Sequence, residues 1–244
     1  MSKKSTRRLS QIIHRLFLLK IIKQKQCVTT LPVLQALMRS EKPGGSRVFL
    51  WAEFLLLFAG VPLLILMLRR PGILFLVLWG GGLACWLASR HTPRGRAQGW
   101  GKMLRRFALC GAALTLATWL LAPGLFLALP LHRPRFWALI MLLYPLLSVW
   151  PQEIIFRRFL FARYEPIFGS ATGALSALAF GYAHIIFLNL WAVLLTLAGG
   201  WLFARSYAAT RSLTFSGVEH ALYGCLVFTI GLGQYFYTGT AWHH

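Results

Sequence analysis

Three side chains with the reach to do acid–base chemistry recur late in this chain, each inside a long apolar stretch. Glu153 stands in Trp-Pro-Gln-Glu-Ile-Ile-Phe-Arg-Arg (150–158), His184 in Phe-Gly-Tyr-Ala-His (180–184), and His220 in Glu-His-Ala-Leu-Tyr-Gly (219–224). Arg157 follows Glu153 by four residues, so on a helix the two stack on one face and can pair. A carboxylate held in low dielectric beside an imidazole can hold and activate a water as general base. A second imidazole can donate to a developing oxyanion. Together these are the minimum equipment for hydrolysing a peptide bond where water must be delivered and held.

The acid inventory is short. Glu41, Glu53, Glu153, Glu165 and Glu219 are the five acidic residues, and there is no Asp. Ionisable groups within membrane spans are costly and read as functional candidates, although one membrane histidine alone is more often an interhelical hydrogen-bonding group. The case rests on one carboxylate and two imidazoles on three late helices. Glu53 reads as structural and Glu165 as a loop residue. Glu219, adjacent to His220, points about 100° away on a helix and so faces another site.

Positioning these groups falls to membrane helices. Of 244 residues, 57% are hydrophobic and 13% charged, with a mean hydropathy of +0.62. Several apolar runs reach the roughly 20 residues a bilayer crossing needs. The fold expected is all-α, a polytopic bundle of about seven transmembrane helices (six to eight). The spans fall near 48–68, 72–88, 107–129 (kinked at Pro123), 137–161, 170–187, 188–208 and 213–236. Three regions follow: 1–47, a basic membrane-surface segment; 48–136, N-terminal transmembrane helices; and 137–240, the bundle that carries the candidate chemistry. In residues 1–47, Leu9/Ile13, Ile12/Leu16 and Ile13/Phe17 recur at helical spacing among lysines and arginines, the pattern of a basic amphipathic helix on an anionic surface.

The net charge of +21 raises nucleic acid as a partner, but the basic residues crowd into the tail and loops, as anionic lipid and the positive-inside rule require. Membrane lipid is therefore the expected partner and nucleic acid is not. The tail, the 89–106 segment, Arg157-Arg158-Arg163 and Arg205/Arg211 fall on one side of a seven-span arrangement, which sets the N-terminus in the cytoplasm. Arg69, Arg70, Arg133 and Arg135 fall opposite. Cys27, Cys85, Cys110 and Cys225 form no Cys-x-x-Cys and read as free thiols. Gly199-Gly200, and Gly173 with Ala177, read as small-residue faces for close helix packing. With span four ending at Phe161, Glu153 and His220 lie about 10 Å from the inner boundary and His184 about 20 Å, a mismatch in depth.

In order and spacing, Gln-Glu-x-x-x-Arg (152–157), Phe-x-x-x-His (180–184) and His220 resemble the motifs of the CPBP family. These are CAAX proteases and bacteriocin-processing enzymes, including the Ras-converting CAAX endopeptidase. The family pattern is Glu-Glu-x-x-x-Arg, Phe-x-x-x-His and His-x-x-x-Asn (or a similar polar residue), and the resemblance covers about 145–240. It implies a glutamate-dependent intramembrane endopeptidase, formerly classed as a metalloprotease, in a bacterial inner membrane. Its substrate would be a membrane-bound or lipid-anchored peptide or protein. By the match, Glu153 with His184 activates water, His220 stabilises the oxyanion, Gln152 orients the water and Arg157 fixes Glu153.

Two positions depart from the pattern. Gln152 replaces the first glutamate and can orient a water but not take its proton, so the base falls to Glu153. Gly224 replaces the polar residue after His220. These departures support a rival reading, a non-proteolytic protein of the same fold acting in bacteriocin immunity or as a membrane scaffold. A proton-coupled transporter is a third reading, for which no internal repeat is evident. No cofactor is expected. The alternative is zinc on the two histidines and Glu153, although no His-Glu-x-x-His occurs and the ligands would come singly from three helices.

Overall fold

The structure, a computed structural model, describes residues 44–236, and the described residues are helical with no strand. The basic amphipathic segment expected at 1–47 lies almost wholly outside them, as does the terminal His243-His244. The chain divides between Leu50 and Trp51 into two units, and every side-chain contact described below lies within the second.

Helix α1 (Gly44–Leu55) passes through a π turn at Leu56–Gly60 into α2 (Val61–Leu68), and α3 (Pro71–Ser89) follows a two-residue break. An extended segment leads to α4 (Trp100–Leu121). Helix α4 stops before Pro123 instead of kinking through it, and a turn leads to the short α5 (Ala128–His132). Proline lacks the N–H that would continue the ladder, so the chain turns there. Next come α6 (Pro134–Tyr144), α7 (Trp150–Glu153), α8 (Leu160–Phe168) and α9 (Thr172–Ala183), then α10 (Leu190–Thr210) and α11 (Leu213–Thr229).

Among the described residues, five segments are long and apolar enough to cross a membrane: Arg47–Leu68, Gly72–Ser89, Trp100–Leu121, Pro134–Phe187 and Leu190–Thr210. The fourth takes in two of the expected spans. Helix α11, with 17 residues, is short of a full crossing and continues through a turn into a 3-10 segment, Leu232–Phe236. Large apolar side chains on the early helices point outward: Leu121 is 85% exposed, Met67 80% and Leu76 72%. Such surfaces are stable against lipid and not against water. The chain is an all-α integral membrane protein.

The helical path from Pro134 to Phe168 is interrupted twice, by π segments at Pro145–Val149 and Ile154–Phe159 that flank Glu153. Pro145 and Pro151 are the sequence cause. Each removes one backbone donor and widens the helix locally, the setting in which π segments arise. Pro151 cannot bond the carbonyl four residues back, and Trp79 Nε1 takes over that carbonyl, Leu147 O, at 3.1 Å. Gly82 of α3 fits against Pro151, with room for no more than a tight Cβ contact.

This path ends at Phe168, where Gly169 adopts φ +54°, a conformation suited to glycine after a helix. That is seven residues beyond the end expected at Phe161 and adds about 10 Å of helix. Counted from Gly169, Glu153 and His184 therefore stand at similar distances along their helices, which removes the mismatch between those two. Glu165, expected in a loop, is in α8 and takes both guanidinium nitrogens of Arg211 at 2.6 and 2.7 Å.

Helices α9 and α10 form a tight hairpin. Asn189 caps α10 by accepting from Trp191 N and Ala192 N, an N-cap that satisfies two orphan donors. A Cβ on Gly181 would press on the backbone of Leu197, and one on Gly200 would press on Phe180 and Ala177. Gly200 is thus a close-packing position, as read from sequence. Gly173 faces open space instead, and Gly199 meets only Phe203 of its own helix.

Candidate active site

Glu153 and His220 meet. Glu153 is fully buried, and its Oε1 lies 3.0 Å from His220 Nδ1. A carboxylate only accepts, so Nδ1 carries the proton and donates. Arg157 Nε lies 3.7 Å from the same oxygen, and its Nη1 donates to Ser176 Oγ at 2.8 Å and to Phe156 O at 3.3 Å. Ser176 Oγ in turn donates to Phe156 O at 2.6 Å. Glu153 Oε2 makes no geometric hydrogen bond among the described residues. Ser216 interacts with the carboxylate, but its hydroxyl hydrogen bonds run to Ser212 O and Leu213 O at 3.5 and 3.4 Å.

The cluster is assembled on aromatic rings. His220 stacks on Phe203 with centroids 4.6 Å apart and 16° between planes. Phe180 presents its ring to His220 at 5.3 Å and to His184 at 4.7 Å. The Arg157 guanidinium carbon lies 5.0 Å from the centroid of that same Phe180 ring, a cation–π arrangement. One phenyl ring therefore touches both imidazoles and the arginine. The phenylalanine four residues before His184 has this position as its physical reason.

His184 sits where α9 gives way to the 3-10 segment His184–Phe187. Its Nδ1 is 2.7 Å from Phe180 O. A carbonyl cannot donate, so Nδ1–H is the donor, and in the neutral ring Nε2 holds the basic lone pair. His220 in its neutral form is fixed the same way by Glu153. Gln152 is not drawn into this group: its Nε2 donates to Ser148 Oγ at 2.9 Å on its own helix.

A second polar group adjoins the first. Arg106 donates to Glu219 Oε1 from Nε at 3.0 Å and from Nη2 at 2.5 Å, and Ser206 Oγ donates to Glu219 Oε2 at 2.6 Å. Glu219 thus faces α4 and α10, away from Glu153, as its helical offset from His220 requires. Glu53 is held by Arg163 and Tyr164 at 2.8 to 3.0 Å, in line with the structural role read from sequence.

Among the described residues, no three of His, Cys and Glu are grouped to hold an ion. Both Nδ1 atoms are engaged, and Glu153 Oε1 is shared by His220 and Arg157.

Sequence reading missed Ser176, Phe203 and Tyr144. Ser176 and Phe203 carried no motif signal, because a serine or phenylalanine on an apolar helix looks like any other packing residue. Tyr144 could have been suspected from its tyrosine–proline junction, eight residues before Gln152.

An all-helical membrane protein with a buried glutamate–histidine–arginine cluster on its late helices is the class that fold and geometry define. Residues 134–226 match the family model described as Type II CAAX prenyl endopeptidase Rce1-like. The segment holding Glu153, His184 and His220 is thus the part of the chain that resembles the CPBP family of CAAX proteases. No curated protein and no solved structure matches the chain.

Proposed function

We propose that this protein is an intramembrane endopeptidase acting on membrane-bound or lipid-anchored peptide segments. The observation that carries the reading is the 3.0 Å bond from His220 Nδ1 to Glu153 Oε1 within a family-matched segment. It leaves Glu153 Oε2 and the other nitrogen of His220 uncommitted.

In this reading a water lies between Glu153 Oε2 and His184 Nε2. Its oxygen attacks the scissile carbonyl carbon as one proton passes to Glu153, and the carbonyl oxygen becomes an alkoxide. His220, in its doubly protonated form, keeps Nδ1–H on Glu153 and offers Nε2–H to that alkoxide. The proton held by Glu153 then passes to the departing amide nitrogen as the C–N bond breaks. Arg157 holds the carboxylate in place and favours its charged form. Gln152 orients the water after leaving Ser148, a movement of one side chain. No metal takes part in this scheme. A bacterial inner-membrane location with a cytoplasmic N-terminus accompanies it.

The test uses purified full-length chain in lipid vesicles with an internally quenched peptide ending in a farnesylated CAAX sequence. The expected result is cleavage by wild type and none by Glu153→Gln or His184→Ala. Equal cleavage by wild type and Glu153→Gln would refute the assignment. The Gln152–Ser148 bond favours a second reading, a non-proteolytic binding protein, because it leaves the Gln152 carboxamide outside the cluster. Peptide binding without turnover, unaffected by Glu153→Gln, would support it.

A further inference from the structure

Gly224 stands one helical turn beyond His220 on α11, where a side chain would project beside the imidazole. The space is already filled. A Cβ built on Gly224 would collide with Cε1, Cζ and Oη of Tyr144. The phenol tip of α6 is therefore seated in the notch that the missing side chain leaves. The Tyr144 ring also faces His220 edge-on, with centroids 6.2 Å apart, and packs on Phe228 at 5.3 Å.

Tyr144 is placed by the irregular backbone described above. It is the last residue of α6, immediately before the Pro145–Val149 π segment, and π segments re-aim side chains at functional sites. Its hydroxyl makes no hydrogen bond among the described residues, whereas the neighbouring Ser148, Thr229 and Trp137 side chains all find partners. A phenol is a good donor, and one left without an acceptor beside the His220 ring is ready for an oxygen brought by something else.

We propose that Tyr144 is a catalytic residue whose hydroxyl donates to the tetrahedral oxyanion alongside His220, from the space left by Gly224. This rests on the proteolytic reading above. In the step concerned, water adds to the carbonyl carbon, the C=O electron pair moves onto oxygen, and the resulting alkoxide accepts hydrogen bonds from Tyr144 Oη and His220 Nε2. Tyr144 keeps its proton throughout. Collapse of the intermediate returns the electron pair and expels the amine, which takes its proton from Glu153.

The experiment measures kcat and KM on the quenched farnesylated CAAX peptide, in phosphatidylethanolamine–phosphatidylglycerol vesicles, for wild type, Tyr144→Phe, Glu153→Gln and the double variant Tyr144→Ala/Gly224→Asn. Tyr144→Phe keeps the ring and removes only the hydroxyl, so the fold is retained, as an unchanged melting temperature would show. The expected result is a fall in kcat of about 10²-fold with KM unchanged, the size of losing one oxyanion donor. Partial recovery in the double variant, which moves the polar group from residue 144 to 224, is also expected. Wild-type kcat in Tyr144→Phe would overturn the inference and leave the protease reading standing. Turnover by wild type no greater than by Glu153→Gln would remove that reading and this inference with it.

Discussion

At the scale of single residues, the centre of the cluster is a buried ion pair. Glu153 and Arg157 are both fully buried and 3.7 Å apart, and Arg157 Nε and Nη2 have no hydrogen-bond partner among the described residues. Isolating either charge leaves the other buried and uncompensated, at a cost of about 3–5 kcal/mol. Glu153→Ala and Arg157→Ala should each destabilise by that amount in equilibrium unfolding in detergent. Removing both should cost clearly less than the two effects added, because the double variant strands no charge. Strict additivity would mean that the pair contributes nothing as a pair. Function and stability are thus coupled at one position, and loss of activity in Glu153→Ala has to be read beside Glu153→Gln, which preserves shape.

Among the elements, the α9–α10 hairpin holds the second histidine. Gly181 lies between Phe180 and His184, and a methyl group there would be in tight contact with the Leu197 backbone. Gly181→Ala should push the two helices apart, costing about 1–3 kcal/mol by overpacking and lowering kcat by displacing Phe180, the ring that both imidazoles touch. Thermal unfolding and peptide turnover measured together would check this; unchanged values of both would show that the hairpin yields without consequence. Gly181 was legible in the sequence only as part of a motif, whereas its packing partner was not, because periodicity says nothing of which helix lies opposite. The same limit explains the span boundaries. Apolar content marked the helices at 47–68 and 72–89 closely, but Phe161 and Phe168 are equally apolar, so composition could not say where the long helix ends. The roles of Arg158 were hidden for a related reason. Its guanidinium is buried and donates to the carbonyls of Ser89, Arg90 and Thr92, closing the end of α3 as a cation at a helix C-terminus does. In sequence it is merely one more loop-side arginine. The Glu153–His220 meeting was anticipated because the two residue types are scarce in an apolar chain; the aromatic frame around them was not, because aromatic residues are common there.

For the whole molecule, the proposed sidedness rests on the distribution of charge. Gly95 N donates to Arg211 O at 2.9 Å, and Arg211 pairs with Glu165. The basic segment after α3, the turn before α11 and α8 therefore meet within the second unit. A cysteine introduced at Arg94 in a background lacking the native cysteines should react with an impermeant maleimide only in inside-out vesicles, and one at Arg133 only in right-side-out vesicles. The reverse pattern would invert the topology.

The central claim, that Glu153 and His184 together cleave membrane-bound substrates, is met most directly by mapping new peptide termini in membrane proteomes. Cells carrying wild type, Glu153→Ala or His184→Ala at equal membrane levels are compared. The account predicts a set of termini present with wild type and lost in both variants. Identical termini in all three, across several growth conditions, would contradict it.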